Sequence, residues 1–156
     1  MLTHYIFTIL ISLSPIGEAR SGIPYGVFVG HIPLAIAFMV GLGANLLIFP
    51  VFYNLIYFFN KKFWSSRKYR QWAVNLTRKA RKSTEKVIEK YGFLGLMVFV
   101  MIPAPFTGAY MGTIAAYLFR FEQRKAFWAV SLGVILSSLI VAAVIFFGDK
   151  AVSAIN

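Results

Sequence analysis

Residues 102–108 read Ile102-Pro103-Ala104-Pro105-Phe106-Thr107-Gly108, in the middle of an apolar stretch that runs from Tyr91 to Phe119. Each proline lacks an N–H and pushes its predecessor out of the α region, so Ile102 and Ala104 are both restricted and a helix stops there. Two half-helices remain, Tyr91 to Met101 and Ala109 to Phe119, each roughly 16 Å long at about 1.5 Å per residue. A hydrocarbon core of about 30 Å needs about 20 helical residues. Neither half crosses alone. The stretch is therefore a kinked span or a re-entrant hairpin, and charge decides between them. The segment Arg120-Phe121-Glu122-Gln123-Arg124-Lys125 follows it, and a larger basic block precedes it. A single crossing would put these two clusters on opposite sides. A hairpin keeps both in the cytoplasm, as the positive-inside rule favours.

The larger block holds Lys61, Lys62, Arg67, Lys68, Arg70, Arg78, Lys79, Arg81, Lys82, Lys86 and Lys90, most of the 16 basic residues behind the net charge of +11. Such a charge first suggests nucleic acid, but apolar segments flank the block on both sides. In that setting it orients a protein in a membrane and touches anionic headgroups, so no nucleic-acid partner is expected. From Ser65 to Lys90, Tyr69, Trp72, Leu76, Ala80, Val87 and Tyr91 recur at helical spacings among the charges. This predicts an amphipathic interfacial helix that ends near Gly92. The composition agrees: 59% hydrophobic and 13% charged residues, against roughly 25% charged in a soluble domain.

The N-terminal part repeats the pattern. Met1 to Ser14 is too short to span, and Ser14-Pro15-Ile16-Gly17-Glu18-Ala19-Arg20-Ser21-Gly22-Ile23-Pro24 is a polar, Gly/Pro-broken insert. A second short apolar piece runs to Gly30. Pro33 to Phe59 and Ala126 to Phe147 are long enough to cross. His31-Ile32-Pro33 and the N-terminus lack Lys and Arg, which suits the outer face. No positive region precedes Tyr5 to Leu13, so Met1 onward reads as mature protein rather than a signal peptide.

The expected fold is an all-α integral membrane domain of two inverted repeats. Each is a re-entrant helical hairpin followed by a transmembrane helix: repeat 1 over residues 1–60, the basic linker over 61–90 and repeat 2 over 91–156. At an offset of 90, Pro15 matches Pro105, Ala19 matches Ala109, Gly22 matches Gly112 and Gly43 matches Gly133. Broken helices at corresponding places in inverted halves point to a transport site. The basic segment would be cytoplasmic and both termini outside.

Of five acidic residues, only Glu18 falls where the membrane interior should be. Arg20 is the only basic residue so placed. A charge at the bilayer centre costs about 2.5–3.5 kcal/mol on insertion scales. A carboxylate withdrawn from water can exchange a proton near neutral pH, which would let Glu18 couple proton movement to substrate. Arg20 offers a planar fork of donors for phosphate or carboxylate. Backbone N–H groups of the returning half-helices, near Gly22 and Gly108, would add anion contacts, and Thr107 is a further binding candidate. The bland alternative is that Glu18 and Arg20 neutralise each other or a backbone carbonyl and lock the hairpin tip. Pro15, Gly17, Gly22, Pro24, Pro103, Pro105, Thr107 and Gly108 break helices where the hairpins need it. Asn45 is a site residue or, as the favoured reading, makes an interhelical hydrogen bond, and Gly41, Gly43 and Gly133 are expected to allow close packing. His4 and His31 lack partners of metal-ligand type, and there is no cysteine, so neither metal nor cofactor is expected. No nucleophile motif or phosphate loop occurs, which argues against an enzyme.

At Pro15-Ile16-Gly17-Glu18-Ala19-Arg20-Ser21-Gly22-Ile23-Pro24, at Tyr91-Gly92-Phe93-Leu94-Gly95 and at Ile102 to Ala109 the sequence resembles the small multidrug export protein family. These prokaryotic membrane proteins look like distant relatives of the DedA superfamily. The resemblance runs over nearly the whole chain. It implies paired re-entrant hairpins, residence in a prokaryotic cytoplasmic membrane and a transport role, and its DedA-like side implies movement of lipids such as polyprenyl phosphates. The acidic and basic positions of the first hairpin motif fall on Glu18 and Arg20. The second hairpin carries no charge between Met97 and Phe119, where the DedA pattern has an arginine. The expectation is a transporter, proton-coupled, acting as a homodimer among membrane lipids. The alternative is a non-transporting membrane organiser or lipid scramblase.

Overall fold

The computed structural model describes residues 2–63, 71, 91–102 and 108–155. Apart from the helical Gln71, the basic segment from Ser65 to Lys90 lies outside them, as do Pro103, Pro105 and Thr107. Helix α1 is Leu2–Leu13, α2 Glu18–Phe28, α3 Leu34–Leu46 and α4 Ile48–Phe63. After the basic segment come α5, Tyr91–Met101, α6, Ala109–Leu118, and α7, Gln123–Ile155. Every described element is helical. The half-helices α5 and α6 fall where the proline argument puts them.

Leu34–Phe59 and Gln123–Gly148 are each 26 residues long and strongly apolar. At about 1.5 Å per residue that is about 39 Å, more than a hydrocarbon core. Only 33% and 39% of their most apolar windows are buried within the chain, whereas a helix in a soluble core would be mostly covered. Leu2, Phe28, Met39, Val51, Val144 and Phe147 are exposed, so the outer surface is suited to lipid rather than water. The chain is an all-α, multi-pass membrane protein.

Two details depart from the sequence reading. The first span is interrupted at Leu47, between α3 and α4. Pro50 is the cause: it has no N–H to give the carbonyl of Leu46, and its ring crowds that carbonyl. Pro24, expected to break the first hairpin, lies inside α2. Its missing N–H removes one bond, the one to the Arg20 carbonyl, and the close packing of α2 between α1 and α3 holds the helix through that loss. The break is confined to Ser14–Gly17.

Small residues set the helix spacings. A Cβ on Gly22 would overlap Ser12 of α1, and one on Gly41 would stand 2.9 Å from Ile23 of α2. On the other side, a Cβ on Gly112 would overlap Val100 of α5, and one on Gly133 would come within 2.7 Å of the Met97 carbonyl. Helices α1, α2 and α3 thus pack closely, as do α5, α6 and α7. Gly43 has open space around it: it is on the face of α3 turned away from its neighbours, so the packing role expected of it is not filled, while Gly41 and Gly133 fill theirs. Helix α7 joins the groups. Phe127 near its start meets Phe49 of α4 with ring centroids 5.8 Å apart. Ile145 near its end packs with Ala19, Ile23, Leu34 and Phe38. The two long spans therefore run antiparallel.

Some traces of the 90-residue offset survive. Ala19 and Ala109 are both fully buried, and Gly22 and Gly112 do matching work. The turns from half-helix to span also correspond. Each uses a non-glycine residue in the left-handed region, His31 with φ 50° and Arg120 with φ 55°.

Candidate functional site

Helix α2 begins at Glu18, whose φ of 50° is left-handed. A non-glycine residue there costs of order 1–3 kcal/mol. The turn has a consequence: it aims the carboxylate across the molecule at the N-terminus of α6. Glu18 Oε1 accepts a hydrogen bond from the Tyr110 N–H at 3.4 Å, and the Ala109 N–H also faces the carboxylate. The first N–H groups of a helix lack intrahelical partners and carry partial positive charge, so they favour an anion. In α6, Glu18 supplies it from another helix. Gly108, just before, has φ 124°, a conformation open to glycine and strained for other residues. A Cβ there would overlap the Glu18 carboxylate. Both requirements select glycine.

Arg20 does the converse. Its Nη2 donates to the Val100 carbonyl of α5 at 2.7 Å, and its Nε to Ser137 Oγ of α7 at 2.9 Å. Val100 lies one residue from the end of α5, where carbonyls lose their partners and a cation is favoured. The acid therefore meets the positive end of α6 and the guanidinium the negative end of α5. Their own charges also attract one another. The link is returned by Tyr110, whose hydroxyl donates to the carbonyl of Leu13, the last residue of α1. Three helix ends left open by the two chain breaks are thus closed by groups from the other half of the chain.

Around these bonds the site is apolar. Ala19, Ile23, Val100 and Ala109 are fully buried, and Glu18 itself is 5% exposed. An aromatic layer backs it: Phe52 of α4 meets the Tyr110 ring edge-on at 5.0 Å, and Tyr53 meets Tyr117 at 6.1 Å. Thr113 is buried and donates to the Ala109 carbonyl at 2.6 Å.

Of the residues singled out from sequence, Glu18, Arg20 and Gly108 come together here. Gly22 lies a full turn inside α2, so its N–H belongs to the helix; its close contact with Ser12 is a packing role. Asn45 is buried, and its Oδ1 has no hydrogen-bond partner. Tyr110, Val100 and Ser137 escaped notice. The carbonyl of Val100 could not have been found, because its role depends only on where α5 ends in space. Ser137 had a signal: with Ser131 and Ser138 it supplies all the polar side chains between Ala126 and Phe147. Among the described residues, no group of three or more His, Cys, Asp or Glu side chains is placed to hold a metal ion.

Discontinuous helices meeting at a buried acid and a half-buried guanidinium define a class of polytopic membrane protein built like the binding regions of transporters. Over residues 18–140 the chain matches the family described as Putative small multi-drug export protein, and it belongs to that family. No curated protein and no solved structure matches it.

Proposed function

We propose that this protein is a secondary transporter of the cytoplasmic membrane that moves a small molecule or an anionic lipid, such as a polyprenyl phosphate, with Glu18 as its proton-linked group. The observation that carries this reading is the seat of Glu18 on the N-terminus of α6. Helix N-termini bind phosphate and carboxylate through free N–H groups, and here the protein's own carboxylate occupies that position. When Glu18 takes up a proton it loses its charge, and the N–H groups of Ala109 and Tyr110 become open to the anionic group of a substrate. Arg20 stays charged and keeps the end of α5 in place while contributing positive potential. Loss of the proton would return Glu18 to its seat and expel the substrate. Export, in the family's description, is the direction in which such a cycle would be used.

The paired re-entrant hairpins, the inverted repeat, a cytoplasmic basic segment bound to anionic headgroups and termini on the outer face belong to this reading. The half-helices support it, since α1 is 12 residues and about 18 Å long, too short to cross. The same shortness supports a second reading, in which the hairpins thin the bilayer and the protein scrambles or organises lipids without coupled transport. Two spans and two hairpins provide little wall around a substrate, so the working unit is proposed to be a homodimer.

Reconstitution into liposomes with an imposed pH gradient tests the proposal, using a lipophilic organic anion and a fluorescent polyprenyl phosphate as probes. Glu18→Gln, which keeps the shape and removes the charge, should abolish gradient-driven movement while the variant still folds. Gradient-driven movement that survives in Glu18→Gln overturns the proton-linked role. Lipid movement that is indifferent to the gradient in the wild type and both the Glu18→Gln and Arg20→Ala variants favours the second reading.

A further inference from the structure

The interruption between α3 and α4 leaves a polar residue that the Glu18–Arg20 site does not use. Asn45, in the last turn of α3, is 2% exposed and its Oδ1 has no hydrogen-bond partner. Beside it, the Leu46 carbonyl has lost its helical donor because residue 50 is proline. A second orphan lies on the opposing span. Ser131 of α7 is 6% exposed and its Oγ also has no partner.

The packing register relates the two. The spans run antiparallel and Phe49 meets Phe127, so one helical turn back along the first span and one turn forward along the second bring Asn45 and Ser131 to the same level. Helices α3 and α7 pack directly, and both residues belong to their buried faces. Leaving a buried polar atom unpaired costs about 1–3 kcal/mol, and two at one level point to something that pairs with both.

We propose that Asn45 Oδ1, Ser131 Oγ and the freed Leu46 carbonyl are the protein ligands of a partly hydrated monovalent cation of the size of sodium, with water completing its coordination. All three are hard, neutral oxygen donors, and unwound carbonyls at helix breaks coordinate sodium in transporters. The C-terminus of α3 adds negative potential. No carboxylate takes part, so a divalent ion would be left with too little compensating charge. Such a site would give the protein an ion-binding element separate from Glu18.

Thermal unfolding of the full chain in detergent tests this, with sodium chloride replaced stepwise by choline chloride at constant ionic strength. Sodium should raise the midpoint saturably, by about 3–6 °C at roughly tenfold the half-saturating concentration, and choline should not. Ser131→Ala should raise the half-saturating concentration at least about tenfold, and Asn45→Leu should remove the response. Because Asn45→Leu changes packing at the helix break, the milder Ser131→Ala carries the test if the former fails to fold. No difference between sodium and choline in the wild type overturns the proposal and leaves the oxygens to a bridging water. So does a sodium response that persists unchanged in Ser131→Ala.

Discussion

Glu18 is both strained and buried, a combination retained only where the surroundings over-determine it. The N-terminus of α6 does so, and Gly108 makes room for it. Gly108→Ala should therefore act twice, straining a backbone at φ 124° and displacing the carboxylate. A loss of about 2–4 kcal/mol is expected, read as a lowered midpoint of thermal unfolding in detergent. Gly43→Ala is the contrast: with nothing within 4 Å of its Cβ position and a helical backbone, it should be neutral or up to about 1 kcal/mol more stable. At Arg20, Ala would leave the Val100 carbonyl and Ser137 without their charged donor, costing roughly 2–3 kcal/mol. Lys should recover only part, because an ammonium cannot reproduce the planar fork that bridges α5 and α7. Equal stability of Arg20→Ala and wild type would show that Arg20 does not hold the end of α5. Glu18 and Arg20 were legible as exceptional in the sequence, since isolated charge in an apolar run announces itself. Their partners were not, because a main-chain carbonyl has no letter in the sequence.

Prolines act on the elements in two ways here, and context separates them. Pro50 interrupts a span: its missing bond falls between the part that packs with α7 and the part that packs with α6. Pro24 has the same defect and leaves α2 unbroken, because Gly22 and Gly26 hold that helix against α1 and α3 on both sides. Pro50→Ala should restore the bond to the Leu46 carbonyl, stabilise the span by about 1–3 kcal/mol and reduce transport by closing the interruption. A rise in the unfolding midpoint with lowered uptake would match that expectation; lowered stability would mean that the interruption is required for packing. Pro24→Ala should change stability by less than about 1 kcal/mol. The half-helices α5 and α6 were legible because the prolines near residue 104 leave short apolar flanks. The interruption at Leu47 was missed because one proline in a long apolar run reads equally as a tolerated kink.

At the scale of the whole molecule, topology and assembly are accessible to labelling because the chain has no cysteine. Single cysteines at His31, Gln123 and Ser83 should react with a membrane-impermeant maleimide from the outside for the first and from the inside for the other two. Labelling of Gln123→Cys from the outside would remove the second hairpin. A cysteine at Ile16, exposed in the break between α1 and α2, should react more slowly than one at His31 if that break lies at mid-depth. Crosslinking in native membranes should yield a dimer, and a monomer alone would remove that assignment. By itself the sequence determined that the chain lives in a membrane, where the half-helices α5 and α6 fall and which two charges are out of place, because these follow from local hydropathy, proline chemistry and charge bias. Only the tertiary structure decided what those charges do. A helix terminus becomes an anion or cation site through its position, so the meeting of Glu18 with α6 and Arg20 with α5 depends on distances across the fold that no local pattern encodes.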